Sequence, residues 1–151
     1  MSVKGKRVIW VGPADGANAK PSNVEGKAIA ATTPGMVVKA GASGIAINND
    51  AGTVFGGTFY VADKDQMRTK SVDDAWTINE NMVAIAARSG EYVNVLCVTG
   101  QVLIAGVTPL TRAGSGGALT IAATDGTVEI LGIADETVTT SATQLVRVRK
   151  A

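Results

Sequence analysis

The chain has 151 residues, of which 46% are apolar and 4% aromatic, with 18 glycines and a formal net charge of +1. This length supports one domain with a hydrophobic core, and the apolar content excludes a chain that is disordered by composition. The near-neutral charge gives no field for nucleic acid, and the single cysteine excludes an intrachain disulfide. We expect neither a signal peptide nor a membrane span, because no apolar run is long enough.

Residues 1–27 are predicted to form a basic N-terminal arm or loop. The stretch GPADGANAKPSNVEGK has turn residues without an apolar period, and only Arg7–Val11 is predicted to be a short strand. The basic start, MSVKGKR, has two interpretations. It is either a solvated, disordered terminus or an arm that becomes ordered on an acidic partner surface.

Residues 28–151 are predicted to form a single β domain. From Ala28 onward, short apolar runs alternate with turn residues, which is typical of short strands. The strands predicted in the first part of this domain are Lys27–Ala31, Met36–Lys39, Ile45–Asn48 and Thr53–Ala62, the last with a Gly-Gly bulge.

The segment 63–82 is the least β-like and is predicted to be a loop with at most one helical turn, begun by Ser71 and Asp74. Strands are predicted next at Met82–Arg88, Glu91–Thr99 and Gln101–Ala105. Both faces of YVNVLCV are largely apolar, so we expect the second of these strands to be covered on both sides.

The final third predicts a hairpin and a closing strand. Gly117–Thr124 and Thr127–Ala134 flank an Asp-Gly pair, which favours a type I′ turn, and Gln144–Lys150 alternates Val with Arg. Eight to ten short strands predict an all-β fold, a small antiparallel β-barrel or β-sandwich with an extended N-terminal arm.

Two stretches show a weak echo, TPGMVVKAGASG at 33–44 and TPLTRAGSGG at 108–117. They mark two equivalent corners of a barrel, or they match by chance in a chain rich in Gly and Ala.

The AGSGG loop at 113–117 is predicted to be a turn. A phosphate-binding loop requires a following Lys and a helix, and neither follows this loop.

No catalytic or metal-binding pattern is present in the sequence. Without histidine the usual Ser or Cys triads cannot form, and Cys97 lies in an apolar strand, where a thiol is usually packing. The paired carboxylates Asp73-Asp74 and Asp135-Glu136 are adjacent in sequence and lack metal-ligand spacing. We therefore expect a protein that is not an enzyme, with no cofactor and no metal.

Six stretches in the second part of the chain resemble the head decoration, or capsid cement, proteins of tailed bacteriophages. These are FYVADKDQM at 59–67, SVDDAW at 71–76, SGEYVNVLCVTGQ at 89–101, TPLTRAGSGGALTIA at 108–122, GIADE at 132–136 and QLVRVRK at 144–150. The resemblance covers roughly residues 55–151, and extends more loosely to EGKAIAATTPGMVVK at 25–39.

This resemblance implies a non-enzymatic virion protein, made in the host cytoplasm, that binds the outer capsid surface. Its partners would be the major capsid protein and further copies of itself, as a trimer or dimer, with no direct nucleic acid and no membrane. The expected capsid contacts are Lys4, Lys6, Arg7 and Trp10, through charge pairs or an added strand. An equally good alternative has Trp10 packed under the barrel.

Two other functions remain open from the sequence. The chain could be another virion or surface β module, such as a tail component or a carbohydrate-binding domain. It could also be a small β-barrel enzyme, although the few aromatic residues and the lack of a catalytic motif give little support.

Overall fold

The computed structural model describes residues 6–13, 21–51 and 59–151. The described residues form an all-β fold without helices, which confirms the predicted fold class. The strands in chain order are β1 Trp10–Pro13, β2 Ser22–Lys27, β3 Val37–Gly41, β4 Gly44–Ile47, β5 Tyr60–Ala62, β6 Asn81–Ala86, β7 Glu91–Cys97, β8 Val102–Leu103, β9 Pro109–Arg112, β10 Leu119–Ile121, β11 Gly132–Ala134, β12 Val138–Thr139 and β13 Gln144–Lys150.

Five strands in the second half of the chain close into a barrel, which we call the C-terminal barrel. The order around it is β7, β13, β11, β9 and β10, and β10 returns to β7. All of these pairs are antiparallel except β10 with β7, where Leu119 pairs with Cys97 in parallel. Strand β1 pairs with the start of β7, from Glu91 to Val93, and so belongs to this barrel.

The other five-stranded sheet forms the N-terminal barrel. The order is β2, β6, β5, β3 and β4, again with antiparallel pairs. A parallel bridge from Ile45 in β4 to Ala28, just after β2, closes the ring. The Ile29 N–H donates to the Ile45 carbonyl at 3.0 Å in this closure.

The two barrels have the same topology, with the same strand order and the same single parallel closure. The register also matches. At the parallel closure, Ile45 pairs with Ala28 in the N-terminal barrel, and Leu119 pairs with Cys97 in the C-terminal barrel. In both barrels the next residue donates its N–H back across the closure, Ile29 to the Ile45 carbonyl and Val98 to the Leu119 carbonyl. Because the register matches around the whole ring, the described residues contain an internal structural repeat, which we call the duplication.

The duplication is also visible in the sequence once the register is known. Val61-Ala62-Asp63 at the end of β5 is equivalent to Ile133-Ala134-Asp135 at the end of β11. Val61 pairs with Val37, and Ile133 pairs with Pro109 in the same register. The lone bridge between Thr32 and Trp76 corresponds to the ladder between β8 and β12.

The echo seen in the sequence lies at equivalent corners, the hairpin between β3 and β4 and the hairpin between β9 and β10. Residues that are identical in the two stretches do not occupy equivalent positions in the two barrels. Val37, rather than Pro34, is equivalent to Pro109. The location was therefore informative, while the residue-by-residue match was not.

The two interiors are filled in different ways. Trp76 and Met82 fill the N-terminal barrel, and three of the buried positions around them are alanines. Gly26 has no room for a side chain larger than hydrogen without displacing Ile45, whose Cγ1 would lie 3.1 Å from an added Cβ. The C-terminal barrel has the smaller Val138 and Val146 at the places of Trp76 and Met82, and compensates with larger residues at several positions around them. Val95, Cys97, Leu110 and Val148 stand at the places of Gly26, Ala28, Val38 and Ala84. Buried residues of that barrel include Val93, Val95, Cys97, Leu110, Leu119, Val146 and Val148.

The barrels share one hydrophobic cluster. Val37, Val61 and Ile85 of the N-terminal barrel belong to the same buried cluster as the residues of the C-terminal barrel. At the junction, the Leu96 N–H donates to the Gly35 carbonyl at 2.9 Å, and the Val37 N–H donates to the Gly117 carbonyl at 2.7 Å. The described residues from Ser22 onward therefore form two barrels joined by a common core, so the N-terminal barrel begins before the predicted boundary at residue 28.

Several predicted strands are confirmed. Strands β6, β7 and β13 lie within the predicted ranges, apart from Asn81 at the start of β6. Strand β7 is covered on both faces, as predicted, because Val93 to Cys97 are all buried. Segment 63–80 is a series of turns, and the AGSGG loop is the turn between β9 and β10. The predicted Gly-Gly bulge lies outside the described residues.

The loop prediction for residues 21–27 is wrong, because Ser22–Lys27 forms β2 and pairs along its length with β6. Only Val24 gives an apolar signal there. Polar side chains occupy the outer face, and the inner position at Gly26 is small to accommodate Ile45. A strand of this kind has no alternating apolar pattern to detect.

The predicted Asp-Gly hairpin is also wrong. Strand β9 lies between β10 and β11 and pairs with both, so the two strands do not pair with each other. Residues 122–131 form a connection in which Asp125 Oδ1 accepts the Thr127 N–H at 3.0 Å and Gly126 has a φ of +80°. The Asp-Gly pair makes a local turn without defining a hairpin.

Candidate partner-binding surface

The four predicted contact residues have different environments. Lys4 lies outside the described residues. Lys6 is within the fold, because its Nζ donates to Glu136 Oε2 at 2.7 Å and so joins the N-terminal segment to the C-terminal barrel. The Lys6 charge is therefore neutralised within the chain.

Ile9 and Trp10 pack on the C-terminal barrel. Ile9 is 1% exposed, and its carbonyl accepts the Asn94 N–H at 2.7 Å. Trp10 packs against the shared cluster, as the alternative interpretation of this residue expected. Its Nε1 is buried without a hydrogen-bond partner, which is unusual for a buried indole N–H. The described part of the arm is therefore anchored.

Arg7 is the predicted contact residue that faces solvent beside other cations. It lines an open cleft of about 470 Å³ together with Lys64, Lys70, Ser71 and Asp73, and with Thr69 and Val72. Lys64 Nζ donates to the Arg7 carbonyl at 3.2 Å, which ties the N-terminal segment to the loop after β5. We call these lining residues the basic cleft.

The loop on one side of the basic cleft is held by its own hydrogen bonds. The Lys70 N–H donates to the Asp65 carbonyl at 3.0 Å, and the Ser71 N–H donates to Asp74 Oδ2 at 2.8 Å. Val72 is 1% exposed and anchors the loop in the shared cluster. Lys70 therefore projects from a backbone that is fixed before any partner binds.

Thr69 has a φ of +54°, an uncommon conformation for a residue with a β-branched side chain. Its N–H donates to the Gln66 carbonyl at 3.2 Å, which closes a tight turn between Lys64 and Lys70. Strained backbone of this kind is concentrated at functional sites. Here it turns the chain so that both lysines line the cleft.

Three cations and one carboxylate, Asp73, line the basic cleft. Such a surface attracts an acidic polypeptide segment, speeds its encounter and rejects basic partners. The sequence indicated Arg7 but missed Lys64 and Lys70. They are 57 and 63 positions away along the chain, and no local pattern connects them to the N-terminus.

A second groove of about 390 Å³ lies over the outer face of β2 and β6. Asn23, Glu25 and Asn81 line it, and they could donate and accept hydrogen bonds. Trp76 also borders this groove but is 4% exposed, with its Nε1 donating to the Asp63 carbonyl at 2.7 Å. The indole therefore offers no stacking face for a sugar ring.

Burial raises the pKa of Asp63, which borders the same groove, above its ordinary value. Hydrogen bonds from the Lys64 N–H and from Gln66 Nε2 oppose this effect. Both carboxylate oxygens of Asp63 are thus engaged in holding the start of the loop, so the group has a structural role.

Within residues 6–13, 21–51 and 59–151, no group of three or more acidic or Cys side chains could hold a metal ion. The same residues contain no helix of the length and apolarity needed to cross a bilayer. No protein-family model matches the chain, and no curated protein has a significantly similar sequence.

Proposed function

We propose that this chain is a non-enzymatic virion structural protein that binds the outside of an assembled phage capsid. It would stabilise contacts between neighbouring major capsid subunits. The observation that carries the proposal is the basic cleft, where Arg7 and the hydrogen-bonded loop after β5 place three cations side by side. Two stretches of that region, FYVADKDQM and SVDDAW, are among those that resemble the phage decoration proteins.

The proposed mechanism is multivalent binding. In this proposal the lattice offers an acidic contact at each of its repeats, so several weak contacts made by one assembly reinforce each other through effective concentration. A protein that binds only the expanded lattice stabilises that state by mass action. The ordered loop suits this role, because its backbone loses little conformational entropy on binding, and the cost is confined to the Arg and Lys side chains.

Co-sedimentation with purified expanded and unexpanded capsid shells tests the function. We expect the wild-type protein to be retained by expanded shells, and the retained fraction to fall as salt is raised, because exposed charge pairs are screened. If neither shell retains the protein at low salt, the proposed function is wrong.

A matched pair of charge reversals tests the basic cleft separately. Arg7→Glu with Lys70→Glu should reduce shell binding at least 10-fold, because like charges then face an acidic surface. Lys27→Glu with Arg149→Glu changes the net charge equally at exposed positions outside the cleft, and should bind like wild type. If both variants bound as tightly as wild type, the cleft would not be the contact surface, and the function would then rest on the retention of the protein by shells alone.

A further inference from the structure

The internal duplication places one turn twice in the chain, once buried and once exposed. In the N-terminal barrel the Met36 N–H donates to the Thr33 carbonyl at 3.1 Å, and in the C-terminal barrel the Val107 N–H donates to the Ile104 carbonyl at 3.1 Å. Each turn contains a glycine with positive φ, Gly35 and Gly106. The turns 33–36 and 104–107 are therefore equivalent.

The turn at 33–36 is an interface within the chain. Pro34 and Gly35 are buried. An added Cβ on Gly35 would meet Leu145 Cδ2 at 2.3 Å and Leu96 Cγ at 3.3 Å, so the turn lies directly on two leucines of adjacent strands. The Leu96 N–H donates to the Gly35 carbonyl at 2.9 Å. In this fold the turn is thus a docking element for an apolar surface.

The equivalent turn of the C-terminal barrel is exposed, although it is more apolar. Val102 is 61% exposed, Ile104 49% and Val107 67%, and we call these three residues the apolar turn. At the equivalent positions the N-terminal barrel has Ala31, Thr33 and Met36. Three exposed aliphatic side chains thus lie within six positions of one another, on β8 and the turn that follows it. Contiguous exposed apolar surface marks interaction sites.

The rest of the sequence around the apolar turn favours contact with an identical surface. Residues 92–111 contain no charged side chain, so the apolar turn and the residues that flank it in sequence bring no like charges into a contact between two identical surfaces. Next to the turn, Thr137 Oγ1 accepts the Ala105 N–H at 3.1 Å, and the Lys6–Glu136 ion pair follows immediately. This gives an apolar centre with a polar rim, as in homodimer interfaces.

A head-to-tail arrangement of copies is opposed by the N-terminal barrel. The positions equivalent to Leu96 and Leu145 are Lys27 and Asn81, which pair with each other on the outer face and are exposed. An apolar turn placed there would desolvate an ammonium and an amide without partners. Contact between apolar turns avoids this cost.

We infer that the apolar turn is the surface by which this chain associates with a second copy of itself, turn against turn around a symmetry axis. This association does not depend on the proposed capsid function, because it takes place in solution.

Analytical ultracentrifugation over a range of concentrations tests the association. The wild-type protein should sediment as a multiple of 15.3 kDa. Val107→Asp should raise the dissociation constant by roughly 30-fold or more, because a carboxylate without a partner would be buried at the contact. Val107→Ile should keep the wild-type mass, which separates the effect of charge from that of altered shape.

Ile78→Asp is the matched control, because Ile78 is 60% exposed on the loop of the N-terminal barrel. It should keep the wild-type mass. Near-UV circular dichroism should be unchanged in all variants, since each changed side chain is largely exposed. A wild-type mass of 15.3 kDa at every concentration would overturn the inference. So would an oligomer that Val107→Asp leaves intact or that Ile78→Asp dissociates equally.

Discussion

Gly35 shows how a single residue determines the junction between the barrels. Its φ is +92°, and its Cα lies so close to Leu145 that only hydrogen fits in place of a side chain. The same residue accepts the Leu96 N–H through its carbonyl. Backbone conformation, close packing and a hydrogen bond between barrels therefore all depend on one glycine.

Gly35→Ala should lower the free energy of unfolding by about 2–4 kcal/mol, from left-handed strain together with overpacking. Gly90→Ala is the control, because Gly90 has a φ of +86° but nothing within 4 Å of an added Cβ. It should cost about 1 kcal/mol, from backbone strain alone. Equilibrium denaturation by urea measures both, and equal losses would show that the contact with Leu145 is unimportant.

Cys97 should be chemically inert in the native state. Burial raises the pKa of its thiol to about 11, and the residue is 1% exposed inside the C-terminal barrel. The thiolate needed for reaction is therefore scarce and inaccessible. An aromatic disulfide reagent at pH 8 should label Cys97 only after denaturant is added. Rapid labelling of the folded protein would mean that the barrel opens readily.

At the scale of elements, the loop between β5 and β6 depends on a carboxylate. Glu80 Oε1 accepts Arg68 Nη1 at 2.9 Å, and Glu80 Oε2 accepts the Thr77 N–H at 2.8 Å. The bond from Arg68, followed by that from Thr77, lowers the pKa of Glu80 from 4.5 to about 2. These bonds connect the two ends of the loop.

A carboxylate with a lowered pKa stabilises the folded state above its ordinary pKa and loses this effect as the pH falls. Glu80→Gln should therefore lower the thermal midpoint slightly at neutral pH, and the difference from wild type should shrink between pH 4.5 and about 2. Glu25→Gln, at an exposed position on β2, is the control. A difference that is independent of pH would contradict the ion-pair explanation.

The sequence predicts well those strands whose own residues show a continuous or alternating apolar pattern. Strands β7 and β13 have continuous or alternating apolar positions, and both lie in the predicted ranges. Strand β2 was missed because its inner face is formed by Val24 and Gly26, beside Ile45 from another strand. The Asp-Gly hairpin failed for a related reason. Which strand pairs with which is a long-range property, and β9 takes both neighbours.

Only part of the basic cleft was predictable, because the rest depends on long-range contacts. Charge density in the first seven residues indicated Arg7, while Lys64 and Lys70 reach it only through folding of the loop after β5. From the sequence alone, Lys6 cannot be distinguished from a lysine that faces solvent without an ion-pair partner. Its pairing with Glu136 joins residues 130 positions apart, a contact that no local pattern encodes.

At the scale of the whole molecule, the duplication explains why a chain with few aromatic residues can fold. Each barrel is small, and the N-terminal one fills its interior with Trp76 and Met82 among three alanines. Docking the two barrels adds a third apolar region, to which Val37, Val61 and Ile85 contribute. Burial per residue rises with size, so the pair is expected to be more stable than either barrel alone.

A shared core predicts that the two barrels unfold together, and the two tryptophans allow a direct measurement. Trp76 reports on the N-terminal barrel, and Trp10 reports on the C-terminal barrel. Each single-tryptophan variant, Trp10→Phe or Trp76→Phe, keeps one fluorescent reporter. In each variant the urea transition followed by fluorescence should coincide with the transition followed by far-UV circular dichroism.

Trp10→Phe should cost little stability, because it removes an N–H that is buried without a partner. If Trp76 fluorescence changed at lower urea than the circular dichroism signal, the N-terminal barrel would unfold first. The cluster at the junction would then be too weak to couple the barrels.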